Sequence, residues 1–214
     1  MSGRLVVTIS REYGAAGNPI ARGVAETLGY ELLADDVPAA VADSLGTSAE
    51  AVERHAEEAP TLVERVVRGL AAATPELLVA HTPLPGEFDG RVRAEIEGRI
   101  GRRAASGDVV ILGRCGSAVL GPQPGVVRVF LVAGLAYRTA RVATSLGYSL
   151  ADAGVEVDRV DVARRRFARE RYGFTWGDPH AYDLVVDAER AGIAGAVAIV
   201  VAAVRARAAG ADPV

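Results

Sequence analysis

The chain has 214 residues, a net charge of −3 and a single cysteine, and half of its residues are hydrophobic. This length fits one domain, and the slightly acidic charge gives no general attraction to nucleic acid or membranes, so neither partner is expected. One cysteine excludes an intramolecular disulfide and suits a reducing compartment, which makes a cytoplasmic location the expectation.

Two further features of the composition bear on function. No apolar run reaches the roughly 20 residues needed to span a bilayer, and residues 193–204, the most apolar stretch, predict a buried helix. The first residues also lack the pattern of a signal peptide.

All 24 basic residues are arginines, as expected from the codon bias of a GC-rich genome. Phosphate charge must therefore be met by arginine, backbone N–H groups, helix N-termini or a metal ion.

The first predicted strand, residues 5–9, runs into a glycine-containing turn at residues 10–18. A helix follows, with Asn18 as the predicted N-cap and Pro19 at its first position, and it ends at Gly29. Glycines let backbone N–H groups approach an anion, and the start of a helix is electropositive. This layout is typical of a loop that cradles phosphate.

The rest of the chain alternates apolar strands with helices. Strands are predicted at residues 30–33, 108–112, 126–132 and 183–187. Helices are predicted at residues 37–45, after 48, after 59, and at 92–107, 136–146, 155–172 and 193–207. Residues 74–89, rich in proline and glycine, are predicted to be a loop. The alternation indicates an α/β fold with a five-stranded parallel sheet and helices on both faces.

Ligands of such a sheet bind outside the carboxyl ends of its strands. The loop at residues 10–18, Asp35 and Asp36 after the second strand, and Arg114 after the third are therefore expected at one edge. The arginines of helix 155–172 are placed to close over that edge.

Three sequence blocks, residues 9–17, 110–115 and 176–184, carry a family resemblance, with further similarity in residues 161–172 and near residue 59. They contain Ser-Arg-Glu-Tyr-Gly, Leu-Gly-Arg-Cys and Trp-Gly-Asp-Pro. The sequence resembles the cytidylate kinase-like family, relatives of the nucleoside monophosphate (NMP) kinases. The resemblance implies one domain over residues 1–214 with a three-layer P-loop fold, an NMP-binding helical insertion at residues 37–103 and a lid at residues 155–179.

The resemblance also implies transfer of the γ-phosphoryl group of ATP, with Mg²⁺, to a nucleoside monophosphate such as CMP or dCMP. The loop nevertheless departs from the pattern G-x-x-x-x-G-K-[ST]. Aligned with the loop of a cytidylate kinase, Gly17 stands at the lysine position, as in most of the family, and Pro19 at the position of the Mg²⁺-binding Ser or Thr. Ala16 replaces a usual second glycine, and Ala34 and Ser117 stand where relatives often have acidic residues. We interpret the loop as a variant anion site built from backbone N–H groups and the helix dipole.

This interpretation assigns the site residues to three roles. Those expected to bind the ATP cofactor are Ser10, Arg11, Glu12, Tyr13, Gly14, Ala15, Ala16, Gly17 and Asn18. Those expected to act in catalysis are Arg11, Arg164 and Arg171. Those expected to bind substrate are Asp35, Asp36, Arg114, Asp161 and Arg165, and no residue is assigned as a metal ligand.

Structural alternatives remain open for several of these residues. Arg11 either substitutes for the lysine or pairs with Glu12 or another carboxylate. Ser10 either binds metal or makes a capping or turn hydrogen bond. Arg114 either binds the substrate phosphate or pairs with Asp35 or Asp36. At least half of the arginines in helix 155–172 are expected on a solvated face.

The first functional hypothesis is a kinase of the NMP kinase type. The alternatives are a nucleotide-binding protein with weak or absent catalysis, and a kinase of a non-nucleotide metabolite. The acceptor and the oligomeric state do not follow from the sequence.

Overall fold

The computed structural model describes residues 5–34 and 85–210. Their elements, in chain order, are β1 Val6–Arg11, α1 Gly17–Leu28, β2 Glu31–Leu33, α2 Pro85–Ser106, β3 Val109–Leu112, α3 Gly116–Leu120, β4 Val126–Val132, α4 Leu135–Leu146, α5 Leu150–Tyr172, β5 Leu184–Asp187 and α6 Ala188–Ala208. A 3-10 turn, Pro179–Ala181, precedes β5.

The five strands form one parallel sheet in the order β2-β3-β1-β4-β5, which confirms the predicted fold class. β1 is central, with Val6 opposite Val109 of β3 and Val126 of β4. Its first five residues are buried, as expected for a strand covered on both faces. The predicted strand ends lie within two residues of the observed ones.

Helices cover both faces of the sheet, and β1 sends alternate residues to each. One face packs against α1 and α6 through a core that includes Val7, Ile9, Ile20, Val24, Val200 and Val204. The other packs against α2 through Val6, Ile96, Ile100 and Ile111. Each such side chain contributes roughly 1.5–3 kcal/mol when fully buried. Thr8 and Ser10 face the same side as Val6, where their hydroxyls meet Ser117 of α3.

A third, smaller core joins α4 to α5. Val142 of α4 packs with Ala153 and Val157 of α5, and Tyr13 of the loop packs against them. α5 begins five residues before its predicted start because Ser149 caps it: the Ser149 hydroxyl accepts a 3.1 Å hydrogen bond from the Asp152 N–H. A capping bond of this kind contributes about 1 kcal/mol.

Two local predictions are wrong. α1 begins at Gly17, and its N-cap is Ala16 in a left-handed conformation (φ 58°) without a side-chain capping bond. Asn18 and Pro19, predicted as the N-cap and the first helical residue, therefore both lie inside the first turn. Residues 85–89, predicted as part of a loop, form the start of α2. Residues 37–84, with most of the predicted insertion, lie outside the described residues.

α6 is longer than predicted. Its 21 residues are enough, by length and composition, to cross a membrane. The helix is interrupted at Gly192 (φ 67°, ψ 166°), so the predicted start at residue 193 marks the break. Ala196, Val200 and Val204 are buried in the core shared with α1 and the sheet. One face of α6 thus packs against α1 and the sheet.

Candidate functional site

The carboxyl edge of the sheet brings together the loops that follow β1, β3 and β4. The Gly113 N–H donates to the carbonyl of Ile9 (2.9 Å), and the Glu12 N–H donates to the carbonyl of Leu131 (3.0 Å). The loop at residues 12–16 therefore lies between the ends of the neighbouring strands. Arg114 and Cys115 both have φ near 52°, a left-handed conformation that turns the chain sharply from β3 into α3.

Arg138 of α4 holds this loop from beneath. The residue is 8% exposed. Its Nε donates to the Ala133 carbonyl (3.0 Å), and its Nη1 donates to the Tyr13 carbonyl (3.2 Å) and to Oδ2 of Asp161 (2.7 Å). Glu12 completes the network: its Oε2 accepts from the Ala133 N–H (3.0 Å) and lies 3.4 Å from Arg138 Nε. The loop shape is thus fixed by buried ionic contacts within the protein.

α5 docks onto the same loop through two residues one turn apart. Oδ1 of Asp161 accepts a 2.8 Å hydrogen bond from the Tyr13 N–H. The Arg164 guanidinium lies 5.5 Å from the centre of the Tyr13 ring, and its Nη1 donates to the Arg11 carbonyl (3.2 Å). Burial, followed by the nearby Glu156 carboxylate, raises the pKa of Tyr13. The ring is therefore a neutral phenol, whose face attracts the guanidinium.

The predicted role of Asp161 as a substrate ligand does not fit this arrangement. Both of its oxygens accept hydrogen bonds from the protein, and its side chain is 7% exposed. Asp161 instead positions the loop. Glu12 was predicted to bind the cofactor, but one of its carboxylate oxygens likewise accepts a hydrogen bond within the protein, from the Ala133 N–H.

A pocket opens on the outer side of the loop; we call it the loop pocket. It encloses about 840 Å³, including space open to solvent, and is lined by Arg11, Glu12, Tyr13, Gly14, Ala16, Gly17, Asn18, Pro19, Arg141, Val142, Ser145 and Arg164. The first turn of α1 contributes its N-terminal N–H end to this wall. The loop pocket thus combines a helix N-terminus with three arginines, which suits a polyanion.

A second pocket, the strand-end pocket, lies between the loop and the ends of β1 and β3. Its space, counted together with space open to solvent, is about 470 Å³, and it is lined by Ser10, Arg11, Gly113, Arg114, Cys115, Ser117, Arg164, Phe167, Phe174 and Trp176. The lining of this pocket combines arginines with an aromatic wall of Phe167, Phe174 and Trp176.

The aromatic wall is anchored to the sheet. Trp176 packs edge-on against Phe130 of β4 (centroids 5.2 Å apart), and Tyr182 stacks on the same ring (4.9 Å). Burial raises the pKa of Tyr182 to about 12, although interactions with Ser10 and the Gly177 backbone act to lower it. The segment after α5 is thus held against the strand-end pocket by its own aromatic side chains.

The remaining predicted residues divide into three groups. Arg11, Arg114 and Arg164 are brought together around the strand-end pocket. Neither pocket has Arg165 or Arg171 on its described lining. Arg165 lies on an outward surface of α5 with Val162 and Arg169, because adjacent helical residues point about 100° apart. Asp35 and Asp36 lie outside the described residues.

Sequence reasoning missed Arg138 and Arg141 as site residues. Their three-residue spacing on an amphipathic helix just after a strand end was the available signal, since it places both at the carboxyl edge. Arg141 lines the loop pocket, with its guanidinium 5.6 Å from the centre of the Tyr137 ring. Within residues 5–34 and 85–210, no group of three His, Cys, Asp or Glu side chains is arranged to hold a metal ion.

Comparisons with known proteins agree with this architecture. The model of the cytidylate kinase-like family matches residues 6–190, which confirms the resemblance seen in the sequence. A cytidylate kinase from Pyrobaculum aerophilum is 28% identical over 197 residues, covering 91% of this chain and 90% of that protein.

Two solved structures show the fold at low sequence identity. An uncharacterized protein from Eubacterium ventriosum is 17% identical with a TM-score of 0.66, covering 94% of this chain and 99% of its own. A shikimate kinase from Bacteroides thetaiotaomicron is 12% identical with a TM-score of 0.52, covering 95% and 99%. The parallel sheet of this chain is therefore that of the P-loop α/β fold.

Proposed function

The chain belongs to the cytidylate kinase-like family and is a phosphotransferase for a nucleotide or other small molecule; within that class, we propose that it transfers the γ-phosphoryl group of ATP to a nucleoside monophosphate of the CMP or dCMP type. Mg²⁺ accompanies ATP in this proposal. Its loop is the variant P-loop in which glycine stands at the lysine position.

One observation carries the proposal: Arg11 and Arg164 line both the loop pocket and the strand-end pocket. A phosphoryl group passing between two bound phosphates crosses the boundary between their sites. Catalysis of that step consists mainly of positioning and of neutralising the charge on the transferred group. The guanidinium groups of Arg11 and Arg164 lie at the boundary between the two pockets and supply this positive charge.

The loop pocket is the proposed ATP side. The backbone N–H groups at the start of α1 and the positive end of its dipole face the phosphates, and Arg141 adds a cation from α4. The network of Glu12, Arg138 and Asp161 holds the loop in shape before nucleotide binds. Binding therefore carries little cost for ordering this part of the loop.

The strand-end pocket is the proposed acceptor side. Arg114, at the end of β3, is the proposed ligand of the monophosphate, and a guanidinium can hold two of its oxygens at once. The rings of Phe174 and Trp176 offer an apolar surface next to that charge. This pairing of cation and aromatic wall favours an acceptor with a phosphate and a planar base.

The described residues offer Mg²⁺ few ligands of their own. The Ser10 hydroxyl lines the strand-end pocket, and no acidic cluster accompanies it within residues 5–34 and 85–210. This donor set fits an ion that arrives with ATP and keeps phosphate and water oxygens as its main ligands. When bound, the ion neutralises phosphate charge; the arginines position the phosphates.

The test is an ADP-release assay with ATP, Mg²⁺ and a panel of acceptors: CMP, dCMP, UMP, AMP, and the non-nucleotide acceptor shikimate. We expect turnover with CMP or dCMP to exceed that with the other acceptors. Turnover only with a non-nucleotide acceptor would replace the proposed substrate. Folded protein that binds ATP by calorimetry but turns over no acceptor would make the chain a nucleotide-binding protein instead.

The expected setting of this reaction is the cytoplasm, with small-molecule partners and neither nucleic acid nor membrane involved. The net charge of −3 and the single cysteine support this setting.

A further inference from the structure

The aliphatic stem of Arg11 lies across Gly17. A Cβ placed on Gly17 would lie 2.7 Å from Cγ of Arg11 and 3.2 Å from its Cδ. Non-bonded carbon atoms prefer separations of about 3.5–4.0 Å. Residue 17 therefore has no room for a side chain while Arg11 keeps this position.

The guanidinium end of the same side chain lies against Gly113, at the end of β3. A Cβ on Gly113 would overlap Nη1 of Arg11 and lie 3.2 Å from its Cζ. The Arg11 backbone is fixed as well, because it pairs with Leu131 of β4 and its carbonyl accepts from Arg164. The side chain thus runs from the first residue of α1 to the end of β3, between the two pockets.

Gly17 also occupies the position at which a loop of the pattern G-x-x-x-x-G-K-[ST] has its phosphate-binding lysine. A lysine there would need the Cβ position from which the Arg11 stem excludes any atom. A lysine at position 17 and Arg11 in its present conformation are therefore mutually exclusive. The sequence has the sterically compatible combination, with Arg11 at the strand end and a glycine, Gly17, at the start of the helix.

We propose that Arg11 and Gly17 form an exchanged pair, in which the phosphate-binding cation of the loop has moved from the start of α1 to the end of β1 and residue 17 stays bare so that Arg11 can cross it. The inference rests on the proposed function, because it assigns Arg11 to the transferred phosphoryl group. A guanidinium at this place holds two phosphate oxygens in a fixed plane, where lysine offers a point charge.

The test is a double-variant cycle on kcat, using ATP and the best acceptor. We expect Arg11→Ala to lower kcat at least about 100-fold, as the loss of a transition-state donor does. Gly17→Ala removes no charge, but its methyl group displaces the Arg11 stem, and we expect a loss of at least about tenfold. In the Arg11→Ala background, Gly17→Ala should lower kcat by less than a further factor of about two, because no Arg11 stem is left to displace.

A reciprocal variant tests the exchange itself. Arg11→Ala combined with Gly17→Lys gives a lysine the space it lacks in the natural chain, and should recover at least about tenfold of the kcat lost in Arg11→Ala. Arg22→Ala, on an exposed position of α1, is the matched control and should leave kcat unchanged. Urea unfolding of every variant separates loss of function from loss of fold.

Two outcomes with an active wild type overturn the inference and leave the proposed function standing. They are an Arg11→Ala enzyme within threefold of wild type, and independent, multiplicative losses from Arg11→Ala and Gly17→Ala. If folded wild type turns over no acceptor, the proposed function fails and the cycle is read from the Kd of MgATP by titration calorimetry. The exchanged pair is supported if Arg11→Ala and Gly17→Ala weaken MgATP binding non-additively. It is overturned if the Kd is unchanged in Arg11→Ala or if wild type shows no measurable binding.

Discussion

Arg138 donates a 2.7 Å hydrogen bond to Asp161, and this buried contact joins α4 to α5 next to the loop at residues 12–16. The two side chains are 10% and 7% exposed. Each also bonds the backbone of Tyr13: Arg138 donates to its carbonyl, and Asp161 accepts from its N–H. The loop is therefore shaped by the helices that follow β4, and those helices also carry Arg141 and Arg164 to the pockets.

Breaking this ion pair should strongly destabilise the protein. Arg138→Met leaves the Asp161 carboxylate buried without its cation, and we expect a loss of about 3–5 kcal/mol in the free energy of unfolding, measured in urea. Asp161→Asn keeps an acceptor for the Tyr13 N–H, so combining it with Arg138→Met should recover much of that loss. Arg159→Ala, at the exposed pair with Glu156, should change stability by less than about 1 kcal/mol. If Arg138→Met lowers the free energy of unfolding no more than this control does, the buried ion pair does not stabilise the protein as argued.

Asp183 should make stability depend on pH in the acidic range. Burial acts to raise its pKa, but hydrogen bonds from the Arg128 side chain and backbone prevail and hold the pKa below its ordinary value. Folding therefore favours the ionised carboxylate. The stability it contributes is present above the pKa of the unfolded chain, near 4, and is lost as pH falls through the lower folded pKa.

The measurement is urea unfolding of wild type and Asp183→Asn between pH 7 and pH 2.5. We expect the difference in free energy of unfolding to be constant from pH 7 to about 5 and to shrink below about 4. A difference that stays constant down to pH 2.5, or that grows on acidification, would show that the Asp183 charge is not the source.

Trp176 should report acceptor binding by its fluorescence. It is the single tryptophan of the chain and lines the strand-end pocket. A monophosphate bound beside it changes the polarity around the indole, whereas ATP in the loop pocket contacts other residues. We expect CMP to change the emission at saturation more than ATP does. The Trp176→Phe variant should lose the signal and, if CMP still binds by calorimetry, shows that the indole is its source.

Much of the fold was predictable because its signals are local. Apolar β-branched runs predict the strands wherever both faces are buried, and Arg114 follows from the rule that sites lie at strand ends. The start of α2 was missed because Pro85 and Gly86 suggest a break, whereas proline is also favoured in the first turn of a helix. The Asn18 cap failed because the chain enters α1 through a left-handed Ala16.

The network of buried ionic contacts that holds the loop could not be predicted in the same way. Glu12, Arg138 and Asp161 are far apart in sequence, and nothing local distinguishes a buried arginine from a solvated one. Helix spacing did separate the arginines of α5 in principle, since neighbours point in different directions. Which of them faces the loop depends on how α5 packs against α4, which only the structure gives.

Arg164 and Arg165 provide the sharpest test of that packing, because they are adjacent and chemically identical. Arg164 lines both pockets, whereas the Nε of Arg165 donates to the Asp161 carbonyl within α5 and the side chain lies on an outward surface. We expect Arg164→Ala to lower kcat about 100- to 1,000-fold, as loss of a cation that neutralises the transferred phosphoryl group does. Arg165→Ala should stay within about threefold of wild type, since it removes a positive charge at a surface open to solvent. Kinetics with ATP and the best acceptor measure both. Equal losses in the two variants would point to a general effect of helix charge and would remove Arg164 from the transfer site.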